Sequence, residues 1–176
     1  MDLGLKGKII IVTGGSKGIG SGIVSVLLEE GAIHIIVGRD KKTIVSAVNK
    51  YKERNLEVGF AFAELTDPKQ CEQAVKKIIN DFRKIDGLVN NAGVNDGIGL
   101  EKGTYEDFLN SINKNVAHYY KMTQLVLPEL KKNKGAIVNI GSKVSTTGPV
   151  SYTQLRAPET SLHSVCRLLL EKKKGG

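Results

Sequence analysis

The sequence predicts an α/β domain whose parallel sheet is wound in both directions from its first strand. Three observations predict it. Short apolar, largely β-branched runs recur along the chain, helix-period segments separate them, and a glycine-rich turn joins the first run to the first helical segment. Strands alternating with helices require right-handed crossovers, which cover a parallel sheet on both faces.

The strand candidates are Lys8–Val12, Ile33–Val37, the alternating Val58, Phe60 and Phe62, Leu88–Val89, and Ala136–Ile140. Between them, Ile19, Ile23, Val26 and Leu27 are expected to share one helical face. Ile44, Val48 and Tyr51 mark a second, and Cys71, Val75, Ile78 and Phe82 a third. Phe108, Ile112, Val116 and Tyr119 mark a longer fourth. Asp67-Pro68 places an N-cap acceptor before a proline at the first helical position, with Gln70 placed to close a capping box, and Thr104 to Asp107 forms another such start.

The chain has 176 residues, 40% of them apolar and 25% charged, the balance of one globular domain. No apolar run approaches a membrane span, and the N-terminus has no signal-peptide pattern, so no membrane partner and a cytoplasmic location are expected. Cys71 and Cys166 lie far apart, and His34, His118 and His163 are scattered, so neither a disulfide framework nor a metal site is indicated. The net charge is +8, but residues 149–176 carry a surplus of three and the rest is spread without aromatic interleaving, which argues against nucleic acid as a partner.

Directly after the first strand comes Thr13-Gly14-Gly15-Ser16-Lys17-Gly18-Ile19-Gly20, running into the first helix. Glycines at 14, 18 and 20 permit a tight turn, a close backbone approach to a pyrophosphate and close helix–strand packing. The helix then presents free N–H groups and its positive dipole end to the phosphates. A glycine triplet alone also marks ordinary turns; its place between a strand and a helix is what points to a dinucleotide.

The second strand ends in Val37-Gly38-Arg39-Asp40. An acid in the place of Gly38 would accept from a ribose 2′-hydroxyl and repel a 2′-phosphate. Gly38 followed by Arg39, with Lys17 next door, suits NADP(H) over NAD(H). The alternative is that Arg39 is a solvated loop residue and Asp40 serves the ribose, which leaves NAD possible.

These residues, with Glu64-Leu65-Thr66-Asp67 after the third strand, Asn90-Asn91-Ala92-Gly93 after the fourth, Asn115, and Ile137 to Ser142 on the fifth, resemble the short-chain dehydrogenase/reductase family over residues 1–148. The resemblance implies a Rossmann-like, doubly wound parallel sheet, truncated here after the fifth strand. It implies that Glu64 and Leu65 lie beside the adenine, that Asn91, Ala92 and Gly93 lie near the cofactor ribose, and that Gly14, Ser16, Lys17, Gly18, Ile19, Gly20 and Arg39 line the rest of the cofactor site. It makes Asn115 part of a proton relay and has Ser142 hold the substrate oxygen. Read from the residues alone, Asn91 satisfies backbone in a tight turn, Asn115 faces a neighbouring strand and Ser142 caps a strand end.

Gly93 to Leu100, His118-Tyr119-Tyr120 and Gly135 to Lys143 resemble the L-fucose dehydrogenase branch, which implies oxidation of a sugar. Asn95, Asp96 and His118 are then candidates for sugar hydroxyls, and equally loop and helix-surface residues. The intact enzyme is expected to be a homo-oligomer.

The pattern then breaks. The family's tyrosine acid/base, with its pKa-lowering lysine one helical turn on, falls by spacing on Leu155 and Glu159. Tyr152 and Arg156 form a pair three residues early, but Pro158 disfavours the helix that should carry them. After Gly148 the motif resemblance stops, and the segment from Val150 resembles translated transposon-adapter sequence. Residues 149–176 are therefore expected to be a non-family, artefactual tail, with a shortened paralogue as the competing reading. Leu162, Val165, Cys166 and Leu169 have helical spacing in either case.

Overall fold

The computed structural model describes residues 3–99 and 101–142. Tyr152, Leu155, Arg156, Glu159 and the helix-period residues of the tail lie outside the described residues. In chain order the elements are β1 (Ile9–Thr13), α1 (Gly18–Glu29), β2 (Ile33–Gly38), α2 (Lys41–Lys52), β3 (Val58–Phe62), α3 (Pro68–Phe82), β4 (Gly87–Asn90), α4 (Tyr105–Ile112), a π turn (Asn113–Ala117), α5 (His118–Asn133) and β5 (Ala136–Asn139). Each predicted strand is present, with ends shifted by at most a residue or two.

The sheet is parallel throughout, in the order β3-β2-β1-β4-β5. β1 pairs on one side with β2 and on the other with β4, so the chain reverses its winding there. Successive side chains of a strand point to opposite faces, and both faces are covered. Ile9, Ile11, Ile35, Val37, Leu88 and Ile137 pack under α3 and α5, with Val75, Ile78, Met122 and Val126. Ile10, Val12, Ile36, Val58 and Val89 pack under α1 and α2, with Val24, Ile44, Val48 and Tyr51. Burial on both faces explains why β1 and β2 read as continuous apolar runs.

The amino end of the sheet is fastened by Asp86, whose carboxylate accepts from the Ile9 N–H at 2.9 Å and pairs with Lys8 at 3.3 Å and Lys84 at 3.0 Å. That leaves the carboxyl end for function. On β2, His34 is fully buried edge-on to Tyr51, with ring centroids 5.4 Å apart. Neither ring nitrogen has a partner among the described residues, and burial pulls the imidazole down to about 4.

Two helix faces differ from expectation. In α1 the buried residues are Gly20 and Val24, while Ile19 is 71% exposed and Val26 54% exposed. The helix begins at Gly18, so its inner face must fit against the glycine loop; Val24 packs there, and Ile19 turns toward the cleft instead. The longer fourth segment is not one continuous α-helix. The π turn at Asn113–Ala117 takes more residues per turn, so a period of 3.6 extrapolated from Phe108 drifts off the core. The buried stripe of α5 is His118, Met122, Val126 and Leu130, and Val116 faces outward.

The helix starts behave as their residues suggest. Asp67 caps α3 by accepting from the N–H groups of Lys69 and Gln70, and Thr104 and Asp107 form a reciprocal box at α4. Gln70 departs from the box. Its Nε2 donates to the Asp67 carboxylate at 3.0 Å, and its Oε1 accepts from the Glu64 N–H at 2.9 Å.

Candidate active site

The loops leaving β1, β2, β3 and β4 at their carboxyl ends surround a cleft of about 490 Å³. In an open parallel sheet this is where the winding reverses and a crevice opens between diverging loops. All twelve residues expected to bind a cofactor line it: Gly14, Ser16, Lys17, Gly18, Ile19, Gly20, Arg39, Glu64, Leu65, Asn91, Ala92 and Gly93.

The glycine loop is shaped by sterics. Gly14 has φ +67° and Gly18 φ +56°, conformations that disfavour a side chain. Gly20 has no such torsion, but a Cβ there would stand 2.3 Å from the Gly14 carbonyl oxygen and 2.6 Å from the Asn91 amide nitrogen. The loop therefore closes tightly on β1 and leaves the start of α1 open. Lys17 occupies the N-cap in extended conformation without a side-chain cap bond, and no acid sits in the first turn. Backbone donors and the dipole's positive end thus face the cleft, next to a lysine. A hydroxyl–hydroxyl contact of 3.3 Å between Ser16 and Thr43 ties the loop to α2.

The opposite wall is held by Asn91. Its side-chain amide donates to the Thr13 carbonyl at 3.0 Å, and the backbone N–H groups of Asn91 and Ala92 donate to the Thr13 hydroxyl at 2.9 and 3.1 Å. The turn-satisfying reading of Asn91 is what the hydrogen bonds show, and that same role builds the wall. Behind it, Asn90 is fully buried and bonds Asn139 across the β4–β5 pair at 2.9 Å.

Asn115 sits in the π turn. Its Oδ1 accepts from the Val94 N–H at 2.8 Å and its Nδ2 donates to the Ser111 carbonyl at 3.0 Å, so it holds the Gly93–Val94 loop rather than lining the cleft. Ser142 lies exposed just beyond the end of β5. Tyr119 donates its hydroxyl to the Ile140 carbonyl at 3.1 Å, and burial pushes the phenol up to about 12. Tyr119 is thus committed to the end of β5 and is not placed to act as an acid/base in the cleft.

Where the loops after β2 and β3 meet, Arg39 donates from Nη1 to Glu64 Oε2 at 2.9 Å. The other Glu64 oxygen accepts from the Thr66 N–H at 3.3 Å and the Thr66 hydroxyl at 3.1 Å. Partial burial raises the Glu64 carboxyl, but the bonds from Arg39 and Thr66 outweigh it and hold the group below its ordinary range. Asp40 caps α2 by accepting from the Thr43 N–H at 3.1 Å, which holds its carboxyl low. Its carboxylate already has a structural task, which weighs against the reading in which Asp40 serves a ribose.

Thr66, within the quoted turn after β3, also lines the cleft, as do Ala63 and Lys114, which carried no sequence signal of their own. The end of β3 delivers Ala63 and Thr66, and the π turn delivers Lys114. His118 lines the cleft as well, but it is 2% exposed rather than on the helix surface, and its Nε2 is 3.0 Å from the Lys114 carbonyl. Burial lowers its pKa. Asp96 accepts from the Ser111 hydroxyl at 3.2 Å, and the Asn95 side chain accepts from the Gly97 N–H at 3.3 Å. Among the described residues there is no cluster of His, Cys, Asp or Glu fit to hold a metal, and no helix is long and apolar enough to cross a membrane.

A sheet wound in this order, with a glycine loop and an open helix start at its reversal point, defines a nucleotide-binding α/β protein. The family model described as short chain dehydrogenase matches residues 8–158, beyond Gly148, where the quoted motifs end. The chain belongs to that family. It is 31% identical over 173 residues to a 3-oxoacyl-[acyl-carrier-protein] reductase FabG of Chlamydia pneumoniae, covering 98% of this chain and 70% of the relative. It is 34% identical over 161 residues to an L-fucose dehydrogenase of Bos taurus, covering 89% of this chain and 58% of the relative. The crystal structure of an actinorhodin polyketide ketoreductase variant with NADPH superposes with a TM-score of 0.78 at 26% identity, covering 83% of this chain and 57% of that one. The chain thus spans little more than half the length of the last two.

Proposed function

We propose that the cleft binds NADP(H), and that residues 1–148 are the cofactor-binding part of an oxidoreductase acting on a sugar of the L-fucose kind. The observation that carries the cofactor reading is the cradle at Gly14 and Gly20. No side chain fits there, and the cradle opens onto uncapped backbone donors beside Lys17. A dinucleotide's phosphates match that chemistry. When bound, the cofactor supplies or accepts a hydride through its nicotinamide ring.

The chain's own residues divide the remaining work. The first turn of α1 holds the pyrophosphate, Lys17 and Arg39 face the 2′-phosphate, and Leu65 covers the adenine. Asn91 to Gly93 form the wall near the ribose. Ser142 orients the reacting oxygen, and Asn115 supports the proton relay while keeping Val94 in place. The sugar assignment is supported by the resemblance of Gly93 to Leu100 and by the bovine relative, alongside relatives named for acyl-carrier-protein substrates.

The chain as written lacks a tyrosine and lysine at Leu155 and Glu159, and loss of a general acid/base lowers turnover by about a hundred- to ten-thousand-fold. We assign that loss to the segment 149–176, where the quoted motifs end, although the family model reaches residue 158. The second reading is a non-catalytic NADP(H)-binding module, a redox sensor or partner subunit; it is favoured by Tyr119, whose phenol is committed to Ile140.

Replacing residues 149–176 by the corresponding segment of the bovine L-fucose dehydrogenase separates the two. NADP⁺-dependent oxidation of L-fucose by the chimera, with none by the original chain, supports the first reading. A folded chimera that binds NADPH but turns over neither L-fucose nor a 3-oxoacyl thioester supports the second.

A further inference from the structure

Just beyond the paired ends of β2 and β3, one ion pair joins the two loops at the mouth of the cleft. Arg39 contributes one donor, Nη1, to Glu64 Oε2, and its side chain is 70% exposed, whereas the Glu64 side chain is 32% exposed. The two partners are unequally held. Both carboxylate oxygens of Glu64 are engaged, by Thr66 on one side and Arg39 on the other, and its backbone N–H is fixed by Gln70. Arg39 keeps four of its five N–H donors for other partners. Glu64 is therefore the fixed member, and the guanidinium pivots from it into the cleft mouth.

We propose that Glu64 is a specificity-determining residue that restrains Arg39 and offsets part of its charge, so that the preference for a 2′-phosphate is set by the Arg39–Glu64 pair and not by Arg39 alone. This rests on the reading of the cleft as a dinucleotide site. A phosphate approaching the free guanidinium edge meets a carboxylate on the far side of the same group. At such separations near a protein surface, one negative charge weakens phosphate binding by about fivefold to tenfold at low salt. A ribose 2′-hydroxyl is nearly indifferent to that charge. Thr66 and Gln70 act as positioning residues, since Thr66 holds the carboxylate and Gln70 the backbone N–H of Glu64.

The test uses the 176-residue chain and four proteins: the original, Glu64→Gln, Arg39→Ala and the double variant. Dissociation constants are measured for NADPH and NADH, and for 2′,5′-ADP and 5′-ADP as probes of the ribose end alone. Glutamine keeps an acceptor for Arg39 and removes the charge. The expected result is a rise of about fivefold to tenfold in the NADPH:NADH preference on Glu64→Gln, fading as salt is added. In the Arg39→Ala background the same substitution keeps only the direct charge effect and should raise the ratio by a smaller factor; an equal rise there shows that Glu64 acts without Arg39 and overturns the proposal. An unchanged or lowered ratio in Glu64→Gln overturns the proposal while leaving the cofactor reading intact. Absence of binding by all four ligands to the original chain overturns the cofactor reading itself. Should Glu64→Gln misfold, Thr66→Val removes one hold on the carboxylate. It is expected to shift the ratio in the same direction by a smaller factor, and no shift there also counts against the proposal.

Discussion

Thr13 accepts twice from Asn91: its hydroxyl from the Asn91 N–H at 2.9 Å, and its carbonyl from the Asn91 side-chain amide at 3.0 Å. The pair joins the ends of β1 and β4 at the point where the winding reverses, so the two walls of the cleft are set by one contact. Thr13 is fully buried. Thr13→Val keeps the shape and orphans the N–H groups of Asn91 and Ala92, at a cost of about 1–3 kcal/mol. Urea unfolding should show that loss, and NADPH affinity should fall with it.

Gly20 and Gly22 lie two residues apart in α1, on different sides of the helix, and meet different surroundings. A Cβ at Gly20 collides with the Gly14 carbonyl, whereas one at Gly22 meets nothing within 4 Å. Gly22→Ala should therefore stabilise the chain by about 0.5–1 kcal/mol through helix propensity. Gly20→Ala should destabilise it by about 1–3 kcal/mol despite the same propensity gain. Thermal unfolding of the two variants side by side is the check.

His34 makes the fold sensitive to acid. Its folded-state pKa of about 4 lies below the ordinary 6.5 because burial disfavours the charged ring. Above pH 6.5 neither folded nor unfolded chain protonates it, so it has no effect on stability there. As the pH falls from 6.5 toward 4 the unfolded chain takes up a proton that the folded chain refuses, and stability drops by about 3 kcal/mol over that window. His34→Phe keeps a ring against Tyr51 and should flatten this part of the pH profile, as followed by denaturant midpoints.

Ile19 is 71% exposed on the cleft side of α1. Truncation to alanine should leave stability within about 0.5 kcal/mol, as for other exposed positions. On the proposed reading of the cleft, NADPH affinity should nevertheless fall severalfold, because the residue lines the cleft and not the core.

Ile19 also shows how far the sequence can be read. Its spacing to Ile23 suits a core face, and its place in the glycine loop suits the cleft. Periodicity cannot choose between them, because the choice depends on where α1 sits against β1. The strands, by contrast, were readable because both faces of a parallel sheet are buried, so each strand is a short apolar run. The π turn left no periodic trace, and with it went the true inner stripe of α5 and the cleft position of Lys114. The Arg39–Glu64 pair was hidden for another reason: its members follow adjacent strands whose register only the folded sheet defines. Gln70 had a local task available at the α3 cap, and the structure gives half of its amide to Glu64 instead.

NADP(H) binding at the carboxyl-end cleft is tested most directly by a fluorescence titration of the 176-residue chain with NADPH and NADH, run beside Gly20→Ala. Saturable one-to-one binding that prefers NADPH and is lost in Gly20→Ala is the expected result. No saturable binding of either nucleotide by the folded chain, or equal binding by Gly20→Ala, would contradict it.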